Sequence, residues 1–406
     1  MPPPFPTAPT ALVLTGGGAR AAYQVGVLQA LAQLRREAGA VRAGNPFPII
    51  VGTSAGAINA AALACGTADF DAAVAAIAEV WQNFRPAQVY RVDQLDLLDV
   101  HGRLRMLWGV ARLLARWRQA QPNSLLDNTP LAALLERMVP LQRLPVLLRA
   151  GHLRALAITA SSYSAGDHCT FYQAAEAMEP WHRSQRRAVP GQITHAHLLA
   201  SSAIPFVFPA TQIGPDRDAE YFGDGSMRQA APLSPAIHLG ATRILAVGAG
   251  RMQEPDGGPN LRTGKPSAAQ IAGHALSSIF LDALGVDVER LRRINQTLAL
   301  VPPEARGSTQ LRPVELLLIA PSQRLDEIAA RHAQALPGVV RRLFAAGKPA
   351  AQAATQSAAF ASYLLFDAGF TGELMALGRA DTLARAPEVR AFMGWAGPGS
   401  PRDSAA

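Results

Sequence analysis

Residues 11–20 read ALVLTGGGAR, and residues 48–56 read PIIVGTSAG. Each stretch is an apolar run that ends in glycine, and each is followed by residues that favour a helix. The pattern predicts strands over 11–15 and 48–51 and helices over 20–37 and 55–65. Such a strand–helix–strand–helix opening indicates a parallel sheet that is covered by helices.

The rest of the chain extends this architecture. Later apolar runs predict strands at 153–159, 169–172, 243–247 and 315–319, and helical patterns occur at 70–84, 131–139, 193–201 and 268–300, the last compatible with two helices. Glycines and prolines at 250–266 predict a long surface loop. We therefore predict an α/β fold of three layers, α/β/α, with a mostly parallel central sheet. Residues 11–250 would form the catalytic core and 251–393 would complete the same domain, between disordered ends at 1–10 and 394–406.

Composition narrows the class of protein. The chain of 406 residues is 49% hydrophobic and 17% charged, with a net charge of +8 that comes almost entirely from arginine. This charge suits an anionic partner, although an arginine-rich proteome gives the same balance. Cys65 and Cys169 are too far apart in sequence to suggest a disulfide framework or a zinc knuckle. No run is long and apolar enough to span a bilayer, so we expect a cytoplasmic protein.

The second stretch presents a serine at a turn. Ser54 lies at the centre of a GxSxG pattern, between a short apolar strand and an alanine-rich helix. In this context Gly52 allows a sharp backbone turn, and Gly56 lets the helix approach the neighbouring strand. The hydroxyl is then exposed as a nucleophile, and the helix N-terminus favours developing negative charge. The competing interpretation is that Ser54 only caps the helix.

The first stretch offers backbone donors. The amides of Gly16, Gly17 and Gly18 carry no neighbouring Cβ, so they can converge on an oxyanion. Glycines at positions 16 and 18 with Ala21 also fit the GxGxxA fingerprint of dinucleotide sites. Such a site needs a carboxylate at the end of the second strand, where this chain reads VGTS at 51–54. The sequence therefore favours an oxyanion hole.

Four segments together resemble the signatures of the patatin-like phospholipases. They are GGGAR at 16–20, GTSAG at 52–56, ASSAIP at 200–205 and DGS at 224–226, in the order found in that family. The resemblance is good over residues 11–250 and general beyond them. It implies a patatin-like fold and a serine hydrolase that cleaves lipid acyl esters without a metal or other cofactor.

The same resemblance assigns roles to residues. Ser54 would be the nucleophile and Asp224 its general base, with the oxyanion hole at Gly16–Gly18. Supporting positions would be Arg20, Gly52, Gly56 and Gly225. Arg20 would either fix the glycine loop or contact a substrate phosphate. We expect a lipid ester as the partner and no nucleic acid.

Two departures and one rival mechanism stay open at this stage. Ala21 stands where the family usually has glycine. Ser226 stands where the family has glycine or alanine. They motivate an alternative in which the protein is a lipid-binding or regulatory relative without turnover. A Ser-His-Asp triad would instead need a histidine after the acid. The candidates are His238, His274 and His332, all in helical patterns; His195 and His197 precede Asp224, and His168 lies beside a predicted hairpin turn.

Two segments suggest lipid contact. Residues 102–119 place Arg105, Arg112 and Arg116 on one helical face beside a broad apolar arc, which is typical of an interfacial helix and also of an ordinary docked helix. The first interpretation predicts peripheral contact with the inner face of the membrane. Residues 353–366 carry aromatic side chains that would either line an acyl-chain groove or pack in the core.

Overall fold

The computed structural model describes residues 8–91, 124–215, 218–250, 268–306, 308–309, 311–338 and 360–395. Its described strands are β1 (Thr10–Leu14), β2 (Ile49–Thr53), β3 (Ala155–Ser162), β4 (His168–Ala174), β5 (His182–Arg183), β6 (Arg186–Pro190), β7 (Thr211–Ile213), β8 (Glu220–Asp224), β9 (Arg243–Val247) and β10 (Glu315–Ile319). The described α-helices are α1 (Ala22–Glu37), α2 (Ala55–Ala64), α3 (Phe70–Gln82), α4 (Thr129–Met138), α5 (Leu144–Arg149), α6 (His195–Ser201), α7 (Ser234–His238), α8 (Ala268–Leu300), α9 (Pro303–Arg306), α10 (Leu325–Arg331), α11 (Ala368–Ala384) and α12 (Ala386–Met393).

These ten strands form one sheet, in the order β10-β9-β1-β2-β3-β4-β6-β5, with β8 beside β3 and β7 beside β8. The five strands from β10 to β3 are parallel, whereas β4 and β8 run antiparallel to β3. The predicted mostly parallel sheet is confirmed. The strand order reverses at β1, which has β2 on one side and β9 on the other. In α/β sheets, ligands bind in the crevice beyond the carboxyl ends of the strands at such a reversal.

Alternating side chains of the central strands serve two cores. Leu12 and Leu14 of β1 pack into the larger core with helices such as α1, α2 and α11. Ala11 and Val13 face the opposite way, into a smaller core that includes Leu284 of α8. Because successive side chains of a strand point to opposite faces, a strand that is apolar at every position must be covered on both sides. This is the predicted α/β/α arrangement.

The predicted elements and the structure differ in a few places. Residues 268–300 form one continuous helix rather than two. β1 begins at Thr10, which pairs with Arg243, so the ordered chain starts before position 11. At the other end, Trp395 is buried, and its N–H donates to the carbonyl of Arg390 at 2.9 Å. The interfacial pattern at 102–119 and the loop at 251–266 lie outside the described residues.

Candidate active site

Ser54 occupies the corner between β2 and α2 with an unusual backbone. Its φ is 55° and its ψ is −130°, and residues other than glycine rarely adopt such a positive φ. The sequence assigned the sharp turn to Gly52, but the positive φ falls on the serine itself. Gly52 is required for another reason, because a Cβ there would lie 2.5 Å from the Cα of Ala57. A Cβ on Gly56 would lie 2.4 Å from the carbonyl oxygen of Thr15, as expected for a close approach of helix to strand.

Hydrogen bonds hold the strained serine. The N–H of Ser54 donates to Oγ of Ser201 at 2.8 Å, and its carbonyl accepts the N–H of Ala57 at 2.8 Å. Ser201 is the last residue of α6 and is fully buried. Its own carbonyl accepts the N–H of Gly225 at 3.1 Å, so one residue bridges the serine corner and the segment after β8. Ser201 belongs to the ASSAIP segment, but no local pattern in that segment predicts this contact.

The sheet brings Asp224 beside Ser54 across 170 positions of sequence. In the register of β2 with β3, Thr53 is the partner of Thr159, and in the antiparallel register of β3 with β8, Ala160 is the partner of Asp224. The ends of β2 and β8 therefore flank the same point of β3. There, Oγ of Ser54 donates to Oδ2 of Asp224 at 2.6 Å.

The environment of Asp224 changes its proton affinity. The carboxyl is fully buried, and burial raises its pKa from 3.8 to about 6 because the charged form is no longer solvated. Hydrogen bonds from Ser54 and from the backbone N–H of Ser226, at 2.8 Å, act in the opposite direction and favour the carboxylate. A carboxylate of raised pKa is a better base toward a hydroxyl than an exposed aspartate. Ser226 thus supplies a backbone donor to Asp224.

A buried polar cluster lies next to the Ser54–Asp224 pair. Nε2 of Gln229 donates to Oγ1 of Thr53 at 2.8 Å, and the hydroxyls of Thr53 and Thr159 lie 2.8 Å apart. A Cβ on Gly225 would lie 2.1 Å from the carbonyl oxygen of Thr159. The chain after Asp224 is therefore pressed against β3, and only glycine fits at position 225.

The glycine loop follows β1, the strand next to β2. Gly18 has a φ of +55°, and a Cβ there would lie 2.3 Å from the carbonyl oxygen of Tyr363. A Cβ on Gly17 would lie 2.6 Å from Cβ of Ala249. Gly16 is buried in the same loop, and Gly18 lines the same cavity as Ser54. The loop thus lies at the same edge of the sheet as the serine corner. Ala21 is buried in the 3₁₀ turn that precedes α1.

Arg20 is not in the lining of this cavity and makes buried contacts with another segment. Its Nε donates to Oγ of Ser362 at 2.7 Å, and its guanidinium lies 4.3 Å from the ring centroid of Tyr363. Only 4% of the residue is exposed. Two roles were predicted for Arg20: fixing the glycine loop or contacting a substrate phosphate. These contacts agree with the first role, because they hold Arg20 against a segment more than 340 positions away.

An apolar cavity of about 360 Å³ opens from Ser54. Besides Ser54, its lining includes Gly18, Ile204, Phe208 and Phe366. Of the aromatic side chains predicted at 353–366 to line a groove or pack in the core, only Phe366 lines this cavity. Phe360, Tyr363 and Leu364 are buried in the larger core, and residues 353–359 lie outside the described part.

The described histidines do not contact the pair. His238 stacks on Trp181 at 4.7 Å between ring centroids, and Nε2 of His332 lies 2.7 Å from Oε2 of Glu373. His195 contacts the carbonyl of Val139 and His197 caps α6, while the His168 imidazole is buried in β4. The side chain of His274 is not described. Among the described residues, no histidine hydrogen-bonds to Ser54 or Asp224, so the geometry does not favour a triad.

The described residues also bear on two other types of site. They contain no group of three or more histidine, cysteine, aspartate or glutamate side chains arranged to hold a metal ion. Within the same residues, no helix combines the length and the apolar character needed to cross a bilayer.

Comparison with known proteins identifies the family. A family model described as patatin-like phospholipase matches residues 12–237. The crystal structure of VipD from Legionella pneumophila is similar to this chain at 12% identity and a TM-score of 0.31, over 91% of this chain and 67% of VipD. No curated protein matches the chain by sequence. Because the family match takes in Gly16, Ser54 and Asp224 and covers more than half of the residues, the chain belongs to the patatin-like phospholipase family.

Proposed function

We propose that the protein is a serine hydrolase that cleaves acyl esters of phospholipids or lysophospholipids, with Ser54 as nucleophile and Asp224 as general base. The family indicates lipid acyl hydrolase activity. The observation that carries the finer proposal is the 2.6 Å hydrogen bond from Oγ of Ser54, which lines an apolar cavity, to a fully buried carboxylate.

The proposed reaction has two stages. Oγ of Ser54 attacks the ester carbonyl carbon while Oδ2 of Asp224 takes the hydroxyl proton, and the carbonyl oxygen becomes an oxyanion held by the amides of Gly16–Gly18. Collapse breaks the ester C–O bond, and the leaving alcohol takes the proton from Asp224. Water then attacks the acyl-enzyme, gives its proton to Asp224, and collapse releases the fatty acid as that proton returns to Ser54.

Substitution of the pair tests the mechanism. Ser54→Ala and Asp224→Ala should each lower kcat for a short-chain ester by at least about 1000-fold, since each removes a group that the reaction requires. Circular dichroism should show an unchanged fold. Ser308→Ala, at an exposed serine, is the matched control and should keep full activity. Full activity in either dyad variant would contradict the proposal.

A fluorophosphonate probe distinguishes the proposed hydrolase from the alternative, a lipid-binding relative without turnover. The probe bonds covalently only to an activated serine, so the native protein should be labelled at Ser54 and the Ser54→Ala variant should not. The alternative without turnover rests on Ala21 and Ser226. Ala21 is accommodated in the turn before α1, and Ser226 still donates its N–H to Asp224, so neither replacement removes a group that hydrolysis needs. An unlabelled native protein would favour the binding function.

Membrane contact through 102–119 belongs to the same proposal, together with a cytoplasmic location at the inner membrane face. Binding to vesicles of anionic phospholipid should weaken as salt rises, because the arginines of this segment would pair with headgroups. Replacing Arg105, Arg112 and Arg116 by serine should reduce vesicle binding several-fold in a sedimentation assay. Unchanged binding would assign the segment to packing within the protein.

A further inference from the structure

The cavity that begins at Ser54 follows one face of α2. Ala55, Ile58 and Ala62 line it, at the three- and four-residue spacing that places side chains on one face of a helix, and Cys65 continues the row. With a rise of about 1.5 Å per residue, the path from Ser54 to Cys65 is about 16 Å long. The cavity is thus an elongated slot that leads away from the nucleophile.

Two further helices close the slot. The turn at 65–69 joins α2 to α3, so α3 begins at the outer end of the slot, where small side chains line it. These are Ala68, Ala72, Ala73 and Ala76. The facing wall comes from α4, which contributes Leu131, Leu134, Leu135 and Met138. The small side chains of the alanines on α2 and α3 therefore set the width of the slot.

The polar side chains in the inner wall are already paired. Nδ2 of Asn59 donates to the carbonyl of Ala21 at 3.2 Å and to Oε1 of Gln24 at 3.1 Å, and its Oδ1 accepts from Nε1 of Trp81 at 2.8 Å. Oγ of Ser202 donates to the carbonyl of Leu198 at 2.8 Å. With these groups satisfied, beyond Ser54 the inner slot offers a ligand only apolar contact.

The outer end of the slot is open to solvent. Ala72, Ala76 and Met138 line the slot and are exposed, and the charged side chains in its lining, Asp69 and Arg143, are exposed there as well. Asp69 is already used as the cap of α3, where its carboxylate accepts the N–H of Ala72 at 3.0 Å. An apolar chain that lies along the slot from Ser54 can therefore reach solvent at this end.

We propose that this slot is the acyl-chain subsite and that it holds about a dozen carbons counted from the ester carbonyl, with Ala62 setting the width about three quarters of the way along. The inference rests on the proposed hydrolase function and names its substrate class, medium- and long-chain acyl esters. An extended chain advances about 1.3 Å per carbon, since its C–C bonds of about 1.5 Å zigzag, so about 12 carbons span 16 Å. Longer chains emerge through the open end.

A series of p-nitrophenyl esters with 4 to 16 acyl carbons, in a fixed detergent concentration, tests the length. Each methylene that enters the slot should raise kcat/KM by up to about fourfold, because burial of a methylene favours the bound chain. The increase should stop at about 12 carbons, and longer chains should be hydrolysed at the same kcat/KM. A profile that is flat from 4 to 12 carbons would overturn the proposal.

Substitution tests the assignment to this slot. Ala62→Phe places a ring about 12 Å along α2 from Ser54, so the break in the profile should move from about 12 to about 9 carbons. Ala72→Phe, at the exposed outer end, should turn the plateau beyond 12 carbons into a fall of about tenfold or more. Ala75→Phe is the matched control, since Ala75 lies on α3, is exposed and is not in the lining of the slot; its profile should equal that of the native protein.

The readouts keep this proposal separate from the proposed hydrolase function. Hydrolysis of the 4-carbon ester and labelling of Ser54 report the dyad, and both should persist in Ala62→Phe and Ala72→Phe. If the dyad works but neither variant changes the chain-length profile, the acyl chain binds elsewhere and only the subsite is wrong. If Ala62→Phe fails to fold, Ala62→Leu and the exposed Ala72→Phe still decide. If the native protein hydrolyses no ester and Ser54 is not labelled, both the proposed hydrolase function and the proposed subsite are wrong.

Discussion

At the scale of single residues, the geometry around Asp224 predicts the pH dependence of activity. Asp224 accepts a proton only when ionised, and burial raises its pKa to about 6. We expect kcat/KM for a short-chain ester to rise about tenfold per pH unit up to about pH 6 and then to level off. Initial rates between pH 4.5 and 8 would measure it, and rates that do not change across this range would contradict the assignment of Asp224 as base.

The same raised pKa affects stability with the opposite sign. The folded protein binds the Asp224 proton more tightly than the unfolded chain, whose aspartate has a pKa of 3.8. The contribution of this group is therefore complete below pH 3.8 and is lost as the pH rises through about 6. Activity is therefore expected to rise over the same pH range in which this contribution to the free energy of unfolding is lost. In Asp224→Asn, which cannot ionise, urea unfolding should lack this component of the pH dependence.

At the scale of elements, the crossing of α1 and α11 depends on two glycines. A Cβ on Gly26 of α1 would lie 1.9 Å from the carbonyl oxygen of Met375, and a Cβ on Gly378 of α11 would lie 2.1 Å from the carbonyl oxygen of Tyr23. The two backbones are in direct contact at these points. This packing joins α1 to a helix that begins more than 340 positions later in the chain.

Alanine substitutions on α11 separate packing from helix propensity. Gly378→Ala should destabilise the protein by about 1 to 3 kcal/mol or more, because the helices must move apart. Gly372→Ala, on the same helix, meets nothing within 4 Å and should stabilise it by about 0.5 to 1 kcal/mol. Chemical denaturation would measure both changes in the free energy of unfolding. Equal effects of the two substitutions would show that the close crossing is not a constraint.

At the scale of the whole molecule, elements beyond the family match complete the central sheet and the surroundings of the candidate site. β9 lies between β1 and β10, so residues 243–247 and 315–319 form one side of the central sheet. Ser362 and Tyr363 contact Arg20, and Phe366 lines the cavity beside Ser54. The machinery proposed within residues 12–237 thus depends on contacts made by residues far outside that range.

Truncation tests this dependence. A chain that ends at residue 338 loses α11, α12 and the 360–366 segment, and it exposes the apolar side of α1 that they cover. We expect no cooperative unfolding transition and no esterase activity from it. In the full chain, loss of activity and loss of circular dichroism should coincide during urea unfolding. An active, cooperatively folded truncated chain would contradict this expectation.

The sequence by itself determined the parts of the site that are local. An apolar strand, a glycine turn and a helix former follow one another around Ser54 and around Gly16–Gly18, and neighbouring residues suffice to specify such corners. Parallel pairing of the two strands then places both corners at one edge of the sheet. The strand β8, which carries Asp224, was not predicted, because its sequence EYFGD begins and ends with an acidic residue and contains no apolar run.

Only the tertiary structure decided how distant groups meet. The register of β3 with both β2 and β8 places Asp224 2.6 Å from Ser54, and burial of that carboxyl raises its pKa. The N–H of Ser54 donates to Oγ of Ser201, and the cavity next to Ser54 is lined by residues of α2, α3 and α4 together with more distant segments. A sequence pattern specifies which residues can form a strand or a turn. The distances, the burial and the cavity follow from the packing of segments that are far apart in the chain.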